Sequence, residues 1–240
     1  MKYKTELHCH TGDVSNCGKE CAEYIVSRYL EAGYTSLVVA NHMSFYTFTG
    51  SRKKYPAFLE ESGKKDCWQS KVDFFMTGYD NLVKAADGRL NIILGMEFRD
   101  FNPKVQNDYL VFGVTEEWLR VSEKITEMDI KAMSAYVHES GMLIYQAHPF
   151  RNDMSVVDPK YLDGIEVFNG HNSHSSRNRV AAFWADIHGL KRTSGTDFHE
   201  KSHVCCGGIL TDFPIETTEK LVEVLKSENY ELLTDYEISP

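Results

Sequence analysis

The 240-residue chain is 42% hydrophobic and 12% aromatic, enough to bury a substantial core, and it is read here as one domain spanning 1–240. Its 26 basic residues against 35 acidic ones give a formal charge of -9, which argues against a protein that coats nucleic acid, so long nucleic acid is not an expected partner. No stretch approaches a membrane span, Met1 to Glu6 lacks the apolar run of a secretory signal, and six cysteines lack the spacing of a disulfide framework; a reducing cytoplasm and no membrane partner are expected.

Apolar runs alternate with helical patterns along nearly the whole chain, the signature of β/α units around a mostly parallel sheet. The first strand ends at His8-Cys9-His10, and a helix is expected over 20–32, stopped by Gly33. A second strand, 36–42, ends at Asn41-His42. Residues 43–70 are too long and irregular for an ordinary β/α loop and read as an inserted lid. A helix over 72–86, strands over 90–98 and 108–114, and helical pattern over 116–140 follow. Strands are then expected at 141–148, 164–169, 192–198 and 207–213, with helices at 175–188 and 217–226 and an edge strand at 230–234. Seven or so strands in this order favour a barrel, whose functional residues belong at the C-terminal strand ends.

Those ends carry His10, His42, Glu97, His148, Asn169 and Asp197. Alternate residues of a strand share a face, so His8 and His10 point one way and Cys9 the other. Imidazoles and carboxylates gathered from across the chain suggest a multinuclear metal site for hydrolysis, because these donors hold zinc, manganese or iron while leaving positions open for water. The cysteines are expected to be inert thiols rather than ligands.

In this order the motifs His8-x-His10, Asn41-His42, Gly95-Met96-Glu97, Ala147-His148-Pro149-Phe150-Arg151, Gly164-Ile165-Glu166-Val167-Phe168-Asn169-Gly170 and Ser194-Gly195-Thr196-Asp197-Phe198-His199 resemble the polymerase and histidinol phosphatase (PHP) family. The resemblance implies a distorted TIM-like barrel of seven β/α units with two or three divalent metals for phosphoester hydrolysis. By position, one metal would take His8, His10, Glu97 and Asp197, a second Glu97 and His148, and a third Asp13, His42 and His199. Two departures stand out. Thr115 occupies the place where many relatives carry a histidine for the second metal, and Asn41 stands where an aspartate is common.

A metal-bridging water, its pKa lowered towards about 7, would attack phosphorus as hydroxide. Arg151 is the expected phosphate clamp, with Lys19, Asn169 and His171 as further substrate contacts; His199 or Asp13 could protonate the leaving group. Asp13 could equally be only a turn former between Gly12 and Ser15. His138 and His188 are expected at helix C-termini, and His174 and His203 in loops, exposed rather than liganding. Phe45, Tyr46, Phe48, Tyr55 and Trp68 could stack on a base or pack the insertion on the barrel, and Arg52-Lys53-Lys54 with Lys64-Lys65 could attract anions or be plain surface.

The expected function is a metal-dependent phosphoesterase acting on a small phosphorylated metabolite or nucleotide. Alternatives are a 3'-5' exonuclease on short oligonucleotides, a protein-tyrosine phosphatase, or a metal-depleted regulatory module. Metal identity, substrate and oligomeric state are left open.

Overall fold

A computed structural model describes residues 2–234. Ten strands form one sheet: β1 Tyr3–Cys9, β2 Tyr34–Val39, β3 His42–Met43, β4 Asn91–Arg99, β5 Asp108–Phe112, β6 Leu143–Gln146, β7 Gly164–Asn169, β8 Lys191–Gly195, β9 Gly207–Thr211 and β10 Glu231–Thr234. The order is β10-β9-β1-β2-β4-β5-β6-β7-β8, with β3 paired to β4. Past β8 the chain returns to β1: His10 N donates to Phe198 O at 3.0 Å and Phe198 N to His8 O at 3.2 Å. The sheet is therefore a nearly closed barrel of the TIM-like kind.

Seven of these strands, β1 to β4 and β6 to β8, run in one direction, whereas β9 is antiparallel to β1 and β10, and β5 is antiparallel to both β4 and β6. Asp108, at its start, therefore lies at the end of the barrel where β4 and β6 finish, and Phe112 points to the opposite end. This departs from seven uniform β/α units. It also changes the meaning of Thr115, which follows β5 away from the site and accepts a hydrogen bond from Trp118 N as the N-cap of a helix. The absence of a histidine there says nothing about the metal ligands at the other end.

Eight α-helices surround or close the barrel: α1 Ala22–Glu31, α2 Phe45–Thr49, α3 Lys54–Ser62, α4 Trp68–Ala86, α5 Glu116–Arg120, α6 Ile130–Glu139, α7 Asn178–His188 and α8 Thr218–Ser227. Along β2, Leu37 and Val39 join the cluster under α1 and α4, whereas Val38 and Ala40 join one containing Leu7, Ile93, Leu110, Tyr145 and, from α8, Leu221, Val224 and Leu225. Alternating faces of the strand thus serve an outer layer and the barrel interior. The helical pattern expected over 116–140 is broken into α5, a 3-10 turn and α6, because Asp129 Oδ1 accepts from Ala132 N and starts a new helix.

The insertion folds as α2 and α3. Phe48 and Tyr55 are buried and pack with Phe74, half-buried Phe58 packs on Tyr55 and Phe74, and Trp68 Nε1 donates to Leu119 O at 2.7 Å, so four of its six aromatic residues are committed to packing. Lys54 Nζ is tied to the carbonyls of Gly12, Ser15 and Gly18. Of its aromatic residues, only Phe45 and Tyr46 stay exposed.

Candidate metal centre

His8 and His10 lie side by side, Nε2 to Nε2 at 3.1 Å, and are fully buried. Two carboxylates divide the space around them. Glu97 Oε1 lies 3.4 Å from His8 Nε2 and 3.2 Å from His148 Nε2, and Oε2 lies 3.3 Å from His10 Nε2 and 2.8 Å from His42 Nδ1. Asp197 Oδ1 is 3.3 Å from His8 Nε2, His10 Nε2 and His199 Nδ1, and Oδ2 is 3.9 Å from His148 Nε2. His148 and Asp197 both adopt positive φ, 28° and 54°. Such backbone is costly for these residue types and turns each side chain inward from its strand end.

The hydrogen bonds behind the rings set which nitrogen faces the centre. His8 Nδ1 donates to the buried Glu166 Oε1 at 2.9 Å. Ser15 Oγ gives its hydrogen to Asn41 Oδ1 at 2.9 Å, so it must accept from His10 Nδ1 at 3.2 Å. His199 Nδ1 donates to Asp197 O at 2.8 Å. In all three rings the proton sits on Nδ1 and the Nε2 lone pair points at the cluster, as for a metal-binding imidazole. Glu166 also accepts from His148 N and Asn169 Nδ2, and Asn169 Nδ2 reaches Asp197 Oδ2 at 3.1 Å.

Fitness for a metal rests on Glu97. Its side chain is buried, yet neither carboxylate oxygen takes part in a hydrogen bond. A buried carboxylate facing bare ring nitrogens carries a large desolvation cost unless a cation lies between them. Ligand atoms about 2.0–2.2 Å from one ion sit roughly 3–3.5 Å apart, the spacing seen here. Burial disfavours charge on both partners, yet His42 and His8 hold Glu97 well below the usual carboxylate range, while Asp197, Glu166 and Glu97 hold His8 above the usual imidazole value. In the cavity this strong pull for positive charge is one that divalent ions can satisfy.

The structure brings His8, His10, His42, Glu97, His148, Asp197 and His199 together. Asp13, expected as a ligand and proton donor, is half-buried beside Asn81, within electrostatic reach of Lys54, and is not among the cavity-lining residues. Cys17 does lie beside the cluster. It is exposed, its Sγ is 3.0 Å from His199 Nε2, and it groups with His10, His42 and His199 as a possible ligand set. The loop leaving β1 must pass the mouth of the barrel, a signal that outweighs the default of an inert thiol.

The cavity in front of these residues is about 480 Å³ and includes Lys19, Tyr46, Arg99, Arg151, His171 and His203 in its walls. Arg151 has no hydrogen bond or ion pair through its guanidinium among the described residues, whereas Lys19 is paired with Glu200 and Arg99 makes a two-pronged bond to Asp108 at 2.5 and 2.6 Å. Asn169 sits behind the centre, bonded to Glu166 and Asp197, rather than among the cavity-lining residues. His174 and His203, expected to be exposed, are partly and fully buried. His199 already donates its Nδ1 proton to Asp197 O, so with a cation on Nε2 it has none for a leaving group.

No family model matches the chain, and no curated protein matches it. Solved structures do. A two-domain protein containing a predicted PHP-like metal-dependent phosphoesterase from Bacteroides vulgatus aligns with TM-score 0.61 at 16% identity, covering 98% of this chain and 65% of that one. The chain has the fold of the PHP-like phosphoesterases. An amidohydrolase from Chromobacterium violaceum with bound sulfate aligns at 0.55 and 16% identity, covering 98% and 99%. Endonuclease Q, in complex with a duplex bearing an abasic lesion at its active site, aligns at 0.59 and 14% identity, covering 95% and 57%. The chain thus spans less than two thirds of the first and third of these proteins. The PHP-like fold carries all three names, so the site and not the fold must choose the substrate.

Proposed function

We propose that the protein is a metal-dependent phosphoesterase acting on a small phosphorylated metabolite or nucleotide. The observation that carries this reading is Glu97, buried without a hydrogen bond amid histidine nitrogens and open to a cavity edged by arginine. Zinc, manganese or iron(II) would suit the donors, held by His8, His10, Glu97 and Asp197, by Glu97 and His148, and by His42, His199 and Cys17. Such ions, when bound, supply an acidified water and neutralise phosphate charge. Arg151 binds two phosphate oxygens through its unpaired guanidinium. His171 and His203 each use Nδ1 as an acceptor, from Ser173 N at 3.2 Å and His199 N at 3.0 Å, so each neutral ring offers an Nε2 hydrogen to an anionic oxygen. Glu166, Ser15 and Asn41 hold the ligand rings in their metal-binding tautomers.

The likeness to Endonuclease Q supports a second reading, a nuclease, in which exposed Tyr46 on the cavity wall stacks on a base. Against long DNA stands the formal charge of -9. One screen separates the readings: a phosphomonoester panel, a dinucleotide and an abasic duplex, each with zinc, manganese or iron(II). Phosphate release from monoesters supports the first reading, and cleavage of the duplex at comparable efficiency replaces it with the second. No turnover on any of them, by protein carrying its metals, refutes both.

A further inference from the structure

Among the assignments above, the ion beside His148 is short of protein donors, with Glu97 and His148 alone. The loop after β7 offers one more. We propose that His174 is a metal ligand, completing the site of that ion together with Glu97, His148 and Asp197 Oδ2; the proposal rests on the metal-dependent reading given above.

Four observations lead to it. The His174 ring lies edge-on to His148 with centroids 5.9 Å apart. Its Nε2 is buried, has no hydrogen-bond partner, and lies 3.8 Å from Asp197 Oδ2, the oxygen that is also 3.9 Å from His148 Nε2. The proton position follows from the bonds behind the ring. Asn169 turns its amide nitrogen to Glu166 and Asp197, so its Oδ1 must be an acceptor. Ser176 Oγ spends its one hydrogen on that Oδ1 at 3.2 Å, and can therefore only accept from His174 Nδ1, also at 3.2 Å.

A neutral His174 then carries its proton on Nδ1 and presents a bare Nε2 to a carboxylate oxygen. Two lone pairs facing each other at this distance repel unless a cation joins them. The neighbouring rings of His171 and His203 show the contrast. Both line the same cavity, but their Nδ1 atoms accept backbone N–H groups, so their Nε2 atoms bear protons and cannot bind an ion. Three histidines within a few ångströms are thus sorted by their hydrogen bonds into one ligand and two donors.

The test measures metal binding, not turnover. Wild-type protein, H174A, H174D, H171A and H203A are loaded with cobalt(II) and titrated with a chelator, following ions bound per chain and the visible absorption of the cobalt. H174A is expected to hold one of its ions at least tenfold more weakly, with a changed spectrum. H174D, which keeps a donor oxygen, is expected to recover part of that loss, and H171A and H203A to match wild type in metal content. Equal affinity in H174A overturns the assignment, as does equal loss of metal in H171A, which would show the tautomers to be misassigned. Should H174A not fold, H174D decides: wild-type affinity with an unchanged spectrum excludes His174 as a ligand. Hydrolysis is assayed separately on wild type, so a protein that binds its ions through His174 yet cleaves no phosphoester refutes the functional reading and leaves this one standing.

Discussion

Replacing Glu166 by Gln isolates what the buried carboxylate behind His8 does. Glu166 is 1% exposed and receives three donors: His8 Nδ1 on Oε1, and His148 N and Asn169 Nδ2 on Oε2. A glutamine has one acceptor oxygen to share among them. Placing its amide nitrogen at the Oε2 position would oppose two donors, so the nitrogen goes to the Oε1 position and faces His8. His8 must then accept there, which moves its proton to Nε2 and blocks the lone pair aimed at the metal. Loss of such a supporting group typically weakens metal binding 10- to 100-fold, or about 1.4–2.7 kcal/mol. E166A should differ in kind, because it leaves three donors without an acceptor and so lowers the stability of the metal-free protein by roughly 1–3 kcal/mol for each group that stays dry. Chelator competition gives the first quantity and urea unfolding the second. An E166Q protein that binds its ions as tightly as wild type would refute the tautomer argument and, with it, the sorting of the other histidines.

Arg151→Ala should raise KM or the inhibition constant for inorganic phosphate by about 10- to 100-fold, the loss of a charge-assisted bidentate contact, with metal content unchanged. Iodoacetamide should modify exposed Cys17 in chelator-treated protein and be slowed at least tenfold by metal, whereas burial, with help from Glu6, pushes the Cys205 thiol up to about 12, so at pH 8.5 only about one molecule in several thousand carries the thiolate and mass spectrometry should find it unmodified. Gly195→Ala places a methyl group 2.4 Å from His8 Cβ and 2.7 Å from Glu166 Oε1, so it should cost about 1–3 kcal/mol in urea unfolding and weaken metal binding; an unchanged midpoint would mean that β1 and β8 can part more easily than their packing implies.

The candidate ligands legible in the sequence are those at or near the ends of parallel strands, because strand direction fixes which end of the barrel they reach: His10, His42, Glu97, His148 and Asp197. The readings that failed did so where direction or a hydrogen bond, rather than residue type, decides. Thr115 looked like a lost ligand only as long as β5 was taken to be parallel; reversed, that strand offers Asp108 to the mouth, with Arg99 opposite it as its cross-strand partner. Asn169 looked like a substrate contact because it ends a strand, but its amide is spent on Glu166 and Asp197. His171, His174 and His203 are one residue type in neighbouring loops, and no periodicity separates them. What separates them is whether Nδ1 faces a donor or an acceptor, which depends on backbone N–H groups and on a serine already committed to Asn169. A ligand histidine is thus defined by the partner behind its ring, and a sequence shows that partner only where, as with Glu166 opposite His8 across 158 residues, the fold has already been solved.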